Sequence, residues 1–230
     1  MKIIIKYNQF KLYRRIIYLG AENMGYIGYV GVDIQFARLK QADLNRGLVF
    51  IEMYDLPYTD LSAYEGIIIT NYVDEQFMMD NRQYVENYLA QGGVVFSFAE
   101  MSMSWLPNAP IWKRSPIAIK DREIILSEPV HPMFAGVDIY DLNYRRGVKG
   151  FFTRGYFEEL PEGAEVIVKD ETDAPIIYID RKSTNGTLIV GSGTDIYQVY
   201  RNEESSAARL ATQILEAMRT EFHECKGAAQ

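Results

Sequence analysis

The 230-residue chain has one cysteine, Cys225, and two histidines, His131 and His223. A single thiol rules out an intramolecular disulfide and a zinc–thiolate site. There is also no His-x-His pair and no dense acidic loop of calcium-binding type, so neither a metal nor a cofactor is expected. No apolar run approaches the roughly 20 residues a membrane span needs. Residues 1–7 carry Lys2 and several isoleucines but lack the apolar stretch and small-residue cleavage site of a secretory signal, so the expected compartment is the cytoplasm. Positive charge is short as well. Its 24 lysines and arginines face 31 aspartates and glutamates, giving a net charge of -7, so neither nucleic acid nor a membrane surface is an expected partner. Repeats, low-complexity tracts and linkers are missing, which points to one domain over residues 1–230, with a core at about 14–222 and a flexible tail at 223–230.

Short apolar runs bounded by glycine or small polar residues are plentiful. Residues 14–19, 48–54, 66–70, 94–98, 175–180 and 187–191 each read as a buried strand, and helix-like stretches separate several of them. Continuous Val/Ile/Leu runs alternating with helices indicate an α/β fold with a mostly parallel sheet. In such a sheet ligands bind beyond the carboxyl ends of the strands. The segments to examine are therefore residues 20–23, Asn71, residues 97–100 and residues 193–197.

Other elements follow from local pattern. Residues 1–13 suit an edge strand or arm, and residues 33–44 have loosely helical spacing. Residues 80–91 predict a helix with Tyr84, Val85, Tyr88 and Leu89 on one face, capped by Asp80 and ended by Gly92-Gly93. Residues 101–114 are irregular. Residues 116–120 and 123–127 suggest a hairpin about Asp121-Arg122, and residues 147–158 and 164–170 suggest antiparallel additions. A final helix over 203–222 presents Ala207, Leu210, Ala211, Ile214, Leu215 and Met218 on one face, with Asn202 as its cap. Tyrosine is abundant, with 17 in the chain, which fits either a tyrosine-rich core shell or interfaces and pockets.

Three segments together resemble the class I glutamine amidotransferase-like superfamily, especially its ThuA-like branch and the branch of proteins assigned as glutamine amidotransferases by similarity. They are YEGIIITNYVDEQ…VENYLAQGGVVFSFAE (64–100), EPVHPMFAGVD (128–138), and NGTLIVGSGTDIY followed by a long helix. The resemblance covers about residues 14–222. It implies a flavodoxin-like three-layer sandwich with an antiparallel β extension. Working members of that superfamily carry a cysteine at the elbow after the central strand, and a histidine with an acid after a later strand. Here the elbow reads Phe96-Ser97-Phe98-Ala99-Glu100, and Asp195 stands near the histidine position. Hydrolysis of glutamine by a Cys–His route is therefore not expected.

Each candidate residue has a plainer alternative. Ser97 is a substitute nucleophile only if a base lies within hydrogen-bond reach, and His131 more simply fixes its His-Pro turn. Glu100 and Asp195 suit an acid–base or cation-binding pair, or else they cap a helix and a turn. Residues 25–32, GYIGYVGV, have glycine spacing unlike a dinucleotide fingerprint, so a flexible tyrosine-bearing loop over the pocket is the adopted reading. The Arg- and aromatic-rich residues 145–157 faintly echo an RNA-binding strand, although a half-buried strand with a cationic face fits the acidic chain better. Residues 101–107 read as a hydrophobic lid, a docking surface or plain packing. The resulting expectation is a non-hydrolytic ligand-binding or complex-assembly subunit, either in a homo-oligomer or in a mixed protein complex. Its pocket would be lined by Asn71, Ser97, Phe98, Glu100, Asp195 and Tyr197. The alternative is a hydrolase or sugar-modifying enzyme of ThuA-like type, with Glu100 and Asp195 as acid and base.

Overall fold

Runs such as Ile67-Ile68-Ile69 and Leu188-Ile189-Val190 stay dry only where both faces of a strand are covered, and the chain arranges itself to cover them. The computed structural model describes residues 25–228. In chain order its strands are β1 Ile27–Gly31, β2 Leu48–Glu52, β3 Gly66–Ile69, β4 Val94–Ser97, β5 Lys113–Arg114 and β6 Ile124–Leu126. They continue with β7 Tyr144–Arg145, β8 Val148–Lys149, β9 Gly155–Tyr156, β10 Glu165–Asp170, β11 Pro175–Asp180 and β12 Thr187–Gly191. Eight of them form one mixed sheet in the order β2-β1-β3-β4-β12-β11-β10-β6. From β2 to β12 the pairing is parallel. From β12 outward it is antiparallel. β5 pairs with β9, and β7 with β8.

Two apolar layers sandwich the sheet. On one face the helix Arg82–Ala90 brings Val85, Tyr88 and Leu89 against Val30, Ile69, Val95 and Val190. On the other, the helix Leu210–Ala228 brings Leu210, Ile214, Leu215 and Met218 against Tyr29, Ile68, Phe96 and Ile189. This is the expected α/β sandwich, with a parallel core and an antiparallel extension. Among the described residues, no helix is long and apolar enough to cross a membrane.

Several local expectations are corrected. Residues 25–32 are no loop: β1 lies fully buried within them. Its glycines serve close packing, since a Cβ at Gly28 would meet Ile51, and one at Gly31 would meet Gln35 and Thr70. The run from 48 ends as a strand at Glu52 and turns into a 3-10 helix, Met53–Tyr58. The helix expected over 80–91 is present as Arg82–Ala90, and a separate short helix, Glu75–Asp80, precedes it; the two are parted at Asn81, whose side-chain amide donates to the Phe77 carbonyl at 2.9 Å. Asp80 does not cap Arg82–Ala90, because it is the last residue of the preceding helix; Asn81 stands at the cap position without a side-chain cap bond, and Asp74 caps the earlier helix.

Residues 116–127 form no hairpin. The Arg122 side chain is drawn into the interior, where its guanidinium reaches the Gly155 carbonyl at 2.9 Å and Asp170 at 3.0 Å, and residues 124–126 pair with β10 instead. Residues 147–158 yield only two-residue strands, because Gly147 and Gly150 adopt positive φ. The last helix begins as a 3-10 turn at Ser206, whose N–H and hydroxyl donate to Asp141, so Asn202 is not its cap. It runs on into the expected tail as far as Ala228, with Lys226 donating to the Gln91 carbonyl at 2.6 Å. Residues 1–13, 14–19 and 20–23 lie outside the described residues.

Candidate functional site

The parallel strands set the site. Ser97, at the end of β4, is in register with Ile69 of β3 and Val190 of β12, so the chain segments leaving all three strands emerge side by side. Ser97 is fully buried, and its hydroxyl accepts from the Ala99 N–H at 3.3 Å. Phe98 is also buried, its ring 4.2 Å from that of Phe96, and it belongs to the core rather than to a pocket wall. Asn71, two residues beyond β3, is half-buried, and Glu100 is exposed. Glu100 caps no helix, because residues 101–112 are irregular.

The stem of Glu100 crosses Gly193. A Cβ there would fall 2.4 Å from Glu100 Cγ, and the φ of +94° independently favours glycine. The extension meets this point directly. The Thr153 hydroxyl donates to the Ser192 carbonyl at 2.9 Å, and the Ser192 hydroxyl donates to the Gly155 carbonyl at 3.0 Å. Arg154 lies between those two anchors, and its carbonyl accepts from Ser115 N–H at 3.1 Å. Arg114 pairs in register with Gly155. Partial burial raises the Glu100 pKa, while Arg154 and Arg114 pull it back. Sequence reasoning missed both arginines. Arg154 fell inside the Arg- and aromatic-rich segment, but nothing local placed it beside Glu100.

Asp195 faces the other way. Its carboxylate accepts from the Tyr29 hydroxyl and, at 3.0 Å, from the Gln198 N–H, which caps the short helix Ile196–Tyr200. Burial pushes its pKa up to about 6, opposed by the Tyr29 bond and the buried Arg201. The Tyr197 ring packs tilted at 50° against that of Tyr29, with centroids 5.9 Å apart, and its hydroxyl donates to Asp43 at 2.8 Å. Asp195 and Tyr197 thus join an interior polar network, and the main charges acting on Glu100 and Asp195 do not include one another.

The one thiol and both imidazoles of the chain sit at the opposite edge of the sheet. Glu221 accepts from the hydroxyl of Thr187, the first residue of β12, at 3.0 Å, and Cys225 Sγ lies 3.4 Å from that hydroxyl. His131 lines a cleft with Arg181 and Glu221, and burial lowers its pKa. As expected it fixes its turn, Nδ1 accepting from the Met133 N–H at 3.3 Å. His223 faces Glu65, which precedes β3. A strand of this length separates these groups from the elbow by roughly 13 Å.

The Arg- and aromatic-rich segment turns part of its aromatic and cationic side chains inward, although Phe151 stays exposed beneath Arg145. Phe152 and Phe157 are buried, and Arg145 and Arg146 both hold Glu203.

No protein-family model matches the sequence, and no curated protein matches it. Among solved structures it is similar to a Thermoplasma acidophilum protein provisionally described as a GMP synthase subunit. The TM-score is 0.56 at 11% identity, covering 90% of this chain and 100% of that one. At that identity the likeness is one of architecture: the chain shares that protein's α/β fold, a flavodoxin-type sandwich with a parallel core and an antiparallel extension.

Proposed function

We propose that this protein is a non-hydrolytic member of the fold, binding a ligand or assembling a complex through the carboxyl edge of its parallel strands. One observation carries the reading: the only thiol and both imidazoles lie at the amino edge, a strand's length from the elbow. Ser97 therefore has no imidazole to take its proton, and a serine hydroxyl without a base is a poor nucleophile. The purified protein should release no glutamate from glutamine above background. Turnover that disappears in Ser97→Ala would refute the proposal.

A second reading, a hydrolase or sugar-modifying enzyme of ThuA-like type, draws on Asp195. A carboxyl held near 6 suits a general acid. Its closed surroundings and its separation from Glu100 weigh against that role. An ester, amide and glycoside panel giving turnover that Asp195→Asn abolishes would favour this reading over the first. The assembly role draws on exposed Tyr58, Tyr72 and Tyr140, which offer aromatic surface to a second copy or another chain.

A further inference from the structure

The arginines of the extension divide into two kinds. Arg122 grips Asp170, and Arg145 and Arg146 grip Glu203. Arg114 and Arg154 are exposed and, among the described residues, grip no carboxylate within ion-pair distance. Both nevertheless act on the same group, Glu100. Their backbones are pinned there: Arg114 by the β5–β9 pairing, and Arg154 by the Ser115 N–H and the Thr153–Ser192 bonds on either side. Gly193 leaves room for the Glu100 stem. Two guanidiniums and one carboxylate leave a local surplus of one positive charge in a chain of net charge -7. This surplus stands at the carboxyl edge of β4 and β12, where ligands of such sheets bind.

From this placement we infer that Arg114 and Arg154 bind the phosphate of a small phosphate monoester, while Glu100 accepts a hydrogen bond from a hydroxyl or amino group of the same molecule. Guanidinium forks match tetrahedral oxyanions, and two of them suit a doubly charged group better than a single carboxylate. The inference rests on the non-hydrolytic binding reading and specifies its ligand.

Calorimetric titration of the full-length protein with inorganic phosphate, glycerol 3-phosphate and acetate at constant ionic strength tests it. Glycerol 3-phosphate should bind most tightly and acetate least. Arg114→Ala and Arg154→Ala should each weaken both phosphates about tenfold. Glu100→Gln should tighten inorganic phosphate several-fold, by removing a like charge, and shrink the advantage of glycerol 3-phosphate. Far-UV circular dichroism of each variant confirms that it is folded. Saturable binding absent from the wild type, or unchanged in both folded arginine variants, would overturn the inference. Neither result touches the non-hydrolytic reading, which falls if glutamine or a member of the ester, amide and glycoside panel is hydrolysed.

Discussion

Asp195 shows how one residue can look catalytic and behave structurally. Its position after β12 was readable from sequence, as was its capping alternative, and it does cap Ile196–Tyr200. The bond from Tyr29, 166 positions away, was not readable, because no local pattern links the two. The pH consequence follows from the raised pKa. The folded state holds the Asp195 proton up to about pH 6, whereas an unfolded aspartate loses it near 3.8. Between those values the native state binds more protons, so this residue's contribution to stability falls as pH rises through the window, and its penalty is full above it. Asp195→Asn keeps the cap and the acceptor for Tyr29 without the charge. It should gain about 1–2 kcal/mol at pH 7 and lose most of the pH dependence between 4 and 6. Urea unfolding of wild type and variant at pH 4.5 and 7.5 checks this, and a variant less stable than wild type at pH 7 would contradict it.

Among the elements, the last helix was the most legible. Ala207, Leu210, Ala211, Ile214, Leu215 and Met218 are all buried, as their spacing predicts. Its start was less legible, since Asp141, more than sixty residues upstream, accepts from the N–H and hydroxyl of Ser206. Ile214→Ala should cost about 2–5 kcal/mol through lost burial and the cavity left behind, while Thr220→Ala on the exposed side should change stability by about 0.5 kcal/mol or less. Chemical denaturation of the two variants checks the contrast. β1 is the opposite case. Its glycines imitate a loop, and only contact with Ile51, Gln35 and Thr70 explains why side chains are absent there.

At the scale of the whole molecule, the two edges of the sheet have different characters. The carboxyl edge gathers Ser97, Glu100, Arg114 and Arg154, and the amino edge gathers Cys225, His131 and His223. Cys225→Ala should therefore leave phosphate affinity within about twofold of wild type, a shift below about 0.4 kcal/mol. The same titration measures it, and a tenfold change would show that the edges are coupled.

The order of apolar runs and helices was enough to specify an α/β sandwich with a parallel core, because burial on both faces of a strand leaves an unbroken apolar run, and burial of one helix face a 3.6-residue spacing, both visible along the chain. The single cysteine, placed at 225, likewise excluded an intramolecular disulfide and a thiol at the elbow. Which polar groups share a site was decided by tertiary structure alone. Strand order and register carried Arg114 and Arg154 to Glu100 and turned Asp195 toward Tyr29, and such pairings depend on distances through space that hydrophobic spacing along the chain does not encode.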